Sequence, residues 1–459
     1  MATQSPNVVL VVIDDLGWRD AGCLGSDFYE TPNVDRLAAS GIQCTNAYAT
    51  GPNCAPSRAS LMTGMYPPRH KIYTVGDPDR GEAHRRKLVP SENRIALDPE
   101  ITTIADVLRT AGYDTGFVGK WHLGKAGTES GPCGHGFDHN VGGTQTGSPP
   151  AGYFPPYDLP NLPDDEDGYL TDQLTNAAVD FIEADRDRPF FCCLCHYAVH
   201  TPIQAKAEMA DKYVDKEPDG RHHIPAYAAM IESVDESVGR LLDTLDAMDE
   251  REDTLIIFTA DHGGHGGYAE RGHPRTGTVA NEITGQSPLR GGKGTFYEGG
   301  IRVPFLAAWP DQLDARQRCN EPISGIDVLP TIIEAVDDAR LPADPVDGTS
   351  LLDLFVNKTE LPRDTLHWHF PAYLQGNAGT WRTTPGGIIR SGAWKLIEYY
   401  EDDRTELYNL STDIGEQVDL SADHPERVGE MQELQARWRQ RLGAEIPETA
   451  NPGYDPART

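Results

Sequence analysis

Three sets of chemically capable residues stand where apolar runs end. Asp14 and Asp15 follow "VVLVVI", Asp261 and His262 follow "TLIIFTA", and Lys120 and His122 follow "TGFVG". Carboxylates converging at one edge repel one another unless a cation lies between them. Asp14, Asp15 and Asp261 would make a hard oxygen site suited to Ca²⁺ or Mg²⁺. Taken alone, Asp14-Asp15 reads equally well as a solvated helix cap. His200 in "HTP" and Lys293 in "GGKGT" are further candidates. A single Lys or His of this kind is more often a surface or packing residue.

The stretch "GPNCAPSRASLMTG" (51–64) carries a lone cysteine, Cys54. A cysteine can be a nucleophile, a metal ligand, half a disulfide or a small apolar filler. Pro56 suits the first turn of a helix, so Cys54 is expected at the helix entrance. Arg58 comes one turn later, on the same side. The helix dipole, Arg58 and a nearby cation would all stabilise an anionic oxygen at position 54. The plain alternative is a buried thiol in an ordinary helix.

The elements around these residues follow a regular order. "TPNVDRLAASG" predicts a capped helix, and "ITTIADVLRTAGYDTGFVGKWHLG" reads as helix, strand, loop. "YLTDQLTNAAVDFIEADRDRPFFCCLCHYAVHTP" repeats that order, and a strongly periodic helix precedes "TLIIFTADHGG". Helices alternating with continuously apolar strands predict an α/β fold: a mostly parallel central sheet sandwiched by helices. In such sheets the site lies beyond the carboxyl ends of the strands. The pattern changes across 346–364. "GGIIRSGAWKLIEYYEDDRTELYNL" predicts antiparallel strands with tight turns, and "PERVGEMQELQARWRQRL" a closing amphipathic helix. The expected division is a catalytic domain over 1–359 and a smaller C-terminal α+β domain over 360–459.

Bulk composition narrows the function. The formal net charge of −31 over 459 residues argues against nucleic-acid binding, which needs basic patches. It leaves room for an anionic substrate bound by a local cluster of cations. No apolar run approaches the roughly 20 residues needed to span a bilayer. No basic n-region precedes the first apolar run, which suits a cytoplasmic chain or one whose leader was removed. Three of the eight cysteines crowd into "FFCCLCHYAVH", where Cys192, Cys193 and Cys195 are expected as buried strand thiols. Mostly free thiols favour a reducing compartment. His196, in the same run, is expected to be a hydrogen-bonded core histidine.

With these blocks in order, the chain resembles a type I, formylglycine-dependent sulfatase of the alkaline phosphatase superfamily. "CAPSR" matches that family's Cys-x-Pro-x-Arg signature, and "ASLMTGMYP" continues it. "GKWHLG", "HTP", "TADHGG", "GGKGTFYEGGIRVP" and the tail "GAWKLIEYYEDDRTELYNL" match further blocks over nearly the whole chain. The resemblance implies that a formylglycine-generating enzyme oxidises Cys54 to Cα-formylglycine. The hydrated aldehyde carries two hydroxyls: one attacks sulfur, and deprotonation of the other expels sulfate. The resemblance also implies a metal held by Asp14, Asp15, Asp261 and the oxygen of modified Cys54. His262, also expected at the metal, stands where many members carry asparagine, though histidine occurs there too. Ca²⁺ prefers oxygen ligands, so this position bears on the choice between Ca²⁺ and Mg²⁺. By the same resemblance Arg58 holds the hydrate and His122 assists it. Lys120 and Lys293 bind sulfate oxygens, and His200 protonates the leaving alcohol or binds sulfate. Family members are commonly exported or lysosomal.

The loops set the rest of the substrate. "GTQTGSPPAGYFPPYDLPNLPDDEDGY" is a long Gly/Pro/aromatic insertion. His265, Arg271 and His273 follow the metal motif, and His367 and His369 open the second domain in "HWHFPAY". His265 and His369 are the preferred candidates for sugar hydroxyls. The expected reaction is exo-acting removal of one sulfate from a sulfated sugar, with small aryl sulfates as artificial substrates. The rival is a phosphate or phosphonate ester hydrolase of the same superfamily; ligands for a single metal favour sulfate.

Overall fold

The computed structural model describes residues 5–220, 222–266, 283–376 and 381–458. Its centre is the strand Asn7–Ile13, every residue of which is buried. It pairs in parallel with Phe190–His196 on one side and Thr254–Ala260 on the other. The eight-stranded sheet runs in the order Gln317–Cys319, Ile42–Cys44, Phe305–Ala308, Thr254–Ala260, Asn7–Ile13, Phe190–His196, Asp114–Gly119, His139–Val141. Only Phe305–Ala308 runs against its neighbours. The expected mostly parallel sheet is therefore present, and its apolar strands follow from having both faces covered.

Neighbouring residues of Asp114–Gly119 display the two layers. Gly116 faces Phe181 of the helix Leu170–Glu183, so close that a Cβ would sit 2.8 Å from the ring. Phe117 faces the opposite way, towards Leu61 and Met62 of the helix Cys54–Thr63. On the Phe181 side, Leu170–Glu183 packs with the long helix Pro225–Ala247, which also meets Pro32–Ala39. On the Leu61 side, Cys54–Thr63 packs with Val328–Glu334. The cysteine-rich run is buried as expected, and all eight cysteines are free thiols. Cys193 and Cys195 share a face, with sulfurs 3.7 Å apart. His196 is a core residue, hydrogen-bonded through Nε2 to Ser237 at 2.9 Å. Among the described residues no helix is long and apolar enough to cross a membrane.

The antiparallel C-terminal sheet is also present, in the order Thr365–Phe370, Gly386–Ser391, Trp394–Tyr399, Arg404–Asn409. The helix Pro425–Leu442 covers one face. Tyr48, Phe296 and Ile301 pack with Leu366, Trp368 and Phe370 on the other. Leu351, Leu354, Phe355 and Leu361 still belong to the core of the large sheet.

A buried ionic cluster joins the two sheets. Lys395 lies 3.0 Å from Glu298 and 2.7 Å from Glu416, all three fully buried. Glu298 also takes a 2.6 Å hydrogen bond from Tyr48 and lies 3.2 Å from Arg302. Burial opposes its charge, but Lys395, Arg302 and Arg390 hold Glu298 down at about 2. Burial, against the pull of Lys395, pushes Glu416 up to about 7. Removing one member of such a cluster strands the others as buried charges. Lys395→Met is expected to cost about 3–5 kcal/mol by denaturant unfolding. A loss under about 1 kcal/mol would show that the cluster does not hold the sheets together.

Candidate active site

Four adjacent parallel strands deliver the predicted residues to one edge of the sheet. Asp14 and Asp15 follow Asn7–Ile13, Asp261 follows Thr254–Ala260, His200 lies beyond Phe190–His196, and Lys120 follows Asp114–Gly119. Ile13 pairs with Ala260, so Asp14 and Asp261 emerge side by side. This is the carboxyl edge at which open α/β sheets bind ligands. Asp14, Asp15 and Asp261 are all at most 2% exposed.

Cys54 enters at the first residue of Cys54–Thr63, after an extended Asn53. Its Sγ lies 3.1 Å from His262 Nε2 and 3.8 Å from Asp14 Oδ1. Arg58, one turn on, donates from Nε to Asp261 at 2.9 Å and from Nη1 to the Lys120 carbonyl at 2.7 Å. It thereby ties the helix to two strand ends. Lys120 Nζ reaches Asp14 Oδ2 at 2.6 Å, and Lys293 Nζ reaches Asp15 Oδ1 at 2.6 Å. Burial favours protonation of Asp15, but Lys293 and the surrounding histidines hold its carboxyl well below the usual range.

Asp14, Cys54, Asp261 and His262 place one ligand atom each within 4.8 Å of one another. Asp15 adjoins them, with Oδ1 3.3 Å from His262 Nε2. Its buried Oδ2 accepts no hydrogen bond, a lone-pair set that a cation would satisfy. His262 Nδ1 donates to the Gly263 carbonyl at 3.0 Å, which turns Nε2 towards the carboxylates. Burial pulls His262 down, yet Asp261 and Cys54 raise it to about 9. A divalent cation among the same ligands would reverse that upward push. The donor set fits a hard divalent cation with one nitrogen ligand.

Cys54, His122, His200, His265 and Lys293 line one cavity of about 350 Å³. A larger cleft of about 870 Å³ elsewhere, lined by Arg363 and Trp394 among others, receives none of these groups. His200 Nδ1 donates to the Thr201 carbonyl at 2.7 Å, leaving Nε2 3.8 Å from Asp15 Oδ2. Burial and then Lys293 depress His200 to about 4. His265 Nε2 lies 3.9 Å from Asp15, and burial pulls it to about 3. His122 adopts a left-handed φ of 61°, as Asp15 does at 64°. Non-glycine residues pay for this conformation, and such strain gathers at functional sites. Gly147 caps His122: a Cβ there would come within 2.4 Å of the imidazole. Tyr153, from the long insertion, shares its single hydroxyl proton between the carbonyls of Tyr197 and His200, each 2.8 Å away, and props the His200 turn.

Not every expected residue arrives. His369 is 3% exposed and lies outside the cavity, with Nδ1 3.0 Å from the Tyr400 hydroxyl. His367 stacks on Trp438 and contacts Gln435 at 2.6 Å. Strand alternation explains both: His367 and His369 share the face covered by Pro425–Leu442, while Trp368 and Phe370 take the other. Neither is placed to touch a sugar. Arg271 and His273 lie outside the described residues. The sequence reading missed Arg80, Arg382 and Gly147, which line the same cavity but belong to no motif block.

The fold and this edge define a metal-dependent hydrolase of charged esters, of the alkaline phosphatase type. The family model described as Sulfatase matches residues 6–338, and that of the N-sulphoglucosamine sulphohydrolase C-terminal region matches 292–446. A sulfatase of Formosa agariphila is 32% identical, over 92% of this chain and 86% of its own. An N-acetylgalactosamine-6-O-sulfatase of Bacteroides thetaiotaomicron is 29% identical, over 94% and 93%. The crystal structure of Ps i-CgsB superimposes with a TM-score of 0.78 at 30% identity, covering 95% of this chain and 93% of that one. The chain belongs to the sulfatase family and is a sulfuric ester hydrolase.

Ca²⁺ or Mg²⁺ added to metal-stripped protein is expected to raise its melting temperature. At 100 times Kd the stabilisation is about 2.7 kcal/mol. Asp15→Asn should abolish most of the rise. An unchanged melting temperature with both ions would contradict the metal assignment.

Proposed function

We propose that this enzyme removes one sulfate ester from the end of a sulfated sugar, using Cys54 matured to formylglycine and one divalent cation, Ca²⁺ by preference. The observation that carries the reading is the position of Cys54. Its side chain leaves the first turn of a buried helix, beside Asp14 and His262, at the floor of a cavity that also holds Lys293, His200 and His122. Asp14, Asp15, Asp261 and His262 are assigned to the metal. The metal and the formylglycine together supply an activated hydroxyl and a Lewis acid for the sulfate.

The chain's own residues supply binding and proton control. Arg58 is fixed by Asp261 and the Lys120 carbonyl and holds positive charge behind position 54. Lys120 and Lys293 reach the site with their ammonium groups and are assigned to sulfate oxygens. His122, capped by Gly147, lies beside Cys54 and is assigned to proton control at that position. His200 is held with Nε2 towards the site. A bound sulfate beside it favours the protonated ring, which then protonates the leaving oxygen. His265 lines the same cavity and is assigned to the substrate.

A cavity of about 350 Å³ suits a terminal sugar rather than a threaded polymer. The net charge of −31 repels long polyanions and favours short oligosaccharides. The sulfated amino sugars named for the relatives are the first substrates to try.

Matched 4-nitrophenyl sulfate, phosphate and phenylphosphonate esters separate this reading from a phosphoester hydrolase. The sulfate ester should be hydrolysed fastest by matured enzyme. Cys54→Ala should lower that rate by more than about 10³-fold while leaving the melting temperature close to wild type. Faster turnover of the phosphate or phosphonate ester, or retained turnover by Cys54→Ala, would overturn it.

A further inference from the structure

Two of the free thiols face each other at the rim of the large sheet. Gln317–Cys319 is its edge strand and pairs in parallel with Ile42–Cys44. The last rung of that ladder sets Cys319 opposite Cys44. Directly opposed residues of a parallel pair present their side chains to the same face. Both thiols turn inward, Cys44 1% and Cys319 7% exposed, whereas the neighbouring Arg318 faces solvent. Adjacent strands lie about 4.8 Å apart. A disulfide needs Cα atoms about 4.4–6.8 Å apart and side chains on one side. Cys44 and Cys319 meet both conditions in their present register.

The two thiols already interact. Contact with Cys44 pulls the Cys319 thiol below its ordinary value, against burial, while burial and then contact with Cys319 push Cys44 up. Cys319, lower in pKa and nearer solvent, is the better placed to attack. The backbone holds the two chains together beyond the rung. Thr45 N–H donates to the Cys319 carbonyl at 2.8 Å, and Ile323 N–H to the Asn46 carbonyl at 3.0 Å. The ribbon continues as Ala47–Tyr48 beside Ile323–Ser324, and its first strand leads into the helix that opens at Cys54.

Cys193 and Cys195 provide an internal contrast. Their sulfurs lie 3.7 Å apart, but they stand two residues apart on one strand. Their Cα atoms are then about 6.6–6.8 Å apart, at the limit for a bridge. Phe190–His196 is paired on both sides, so bending it to close that gap would break two ladders. The edge pair has no such constraint.

We propose that Cys44 and Cys319 are a disulfide site that ties the edge strand to its neighbour, closed by exchange with a small disulfide such as glutathione disulfide and open in a reducing compartment. The Cys319 thiolate attacks one sulfur of glutathione disulfide, forming a mixed disulfide and releasing one glutathione thiolate. Cys44 loses its proton and attacks the Cys319 sulfur, releasing the second glutathione. Two protein thiols are oxidised, and one disulfide is reduced to two thiols that take up the two protons. The bond closes a loop spanning most of the large sheet and so restricts the unfolded chain. The site is separate from Cys54 and independent of the reaction assigned there.

The test is equilibration of the full chain with glutathione disulfide, alkylation of the remaining thiols in denaturant, digestion without reduction and mass mapping. One linked pair of peptides, carrying Cys44 and Cys319 and two hydrogens lighter than the free peptides together, is the expected product. Cys193 and Cys195 should be recovered alkylated. The oxidised protein should melt about 5 °C or more above the reduced protein, and dithiothreitol should remove the gain. Cys319→Ala should melt at the same temperature with and without glutathione disulfide. Recovery of Cys44 and Cys319 as separate alkylated thiols or separate glutathione adducts would overturn the proposal. A bridge from either to another cysteine, or a gain that persists in Cys319→Ala, would overturn it equally.

Discussion

Three carboxylates with almost no access to water stand together at the ends of two adjacent strands, and the site is built around holding them. Asp14 and Asp261 are placed side by side by the register of Ile13 with Ala260. Asp15 follows at once, at a left-handed φ of 64°. Burying each charge costs several kcal/mol unless partners with good geometry repay it. Lys120, Lys293, Arg58 and His262 are those partners, at 2.6 to 3.3 Å. Each comes from a different segment, so the edge is neutralised only when the chain is fully folded. The same arrangement explains why Cys54 opens a helix here. A developing anion at that position meets a helix N-terminus, a guanidinium and two ammonium groups.

The C-terminal sheet contributes to this centre through its fit to the large one. Glu298 is fixed by Lys395 and Arg302, and the segment just before it carries Lys293 and Gly294. Gly294 supports Arg382, which comes from the C-terminal hairpin. A buried ionic cluster at the seam of the two sheets thus helps to position Lys293 and one wall of the cavity. The long insertion does the same from the other side: Tyr153 holds the His200 turn and Gly147 covers His122.

Much of the architecture and the reacting centre is legible in the sequence because both rest on short-range rules. Continuously apolar strands announce a sheet covered on both faces, and residues after their carboxyl ends announce the site. Asp14, Asp15, Lys120, His122, His200, Asp261, His262 and His265 follow those strand ends, and Cys54 and Arg58 from a helix and Lys293 from a loop gather beside them. His369 shows where the rule stops. Its polar type and its place in "HWHFPAY" suggest a ligand, but strand alternation and the helix Pro425–Leu442 bury it against Tyr400. Burial of that kind depends on a helix more than fifty residues away, which no local pattern announces. Arg80 and Arg382 fail in the opposite sense. They lie in loops without a periodic signal, and only the contacts of Gly81 and Gly294 bring them to one wall.

The central claim is that position 54 carries the reacting group, and its maturation can be read directly. The measurement is the mass of the peptide containing Cys54, from protein produced together with a formylglycine-generating enzyme. A mass in which the thiol is replaced by an aldehyde is the predicted result. An unmodified thiol on protein that nevertheless turns over a sulfate ester would contradict the account.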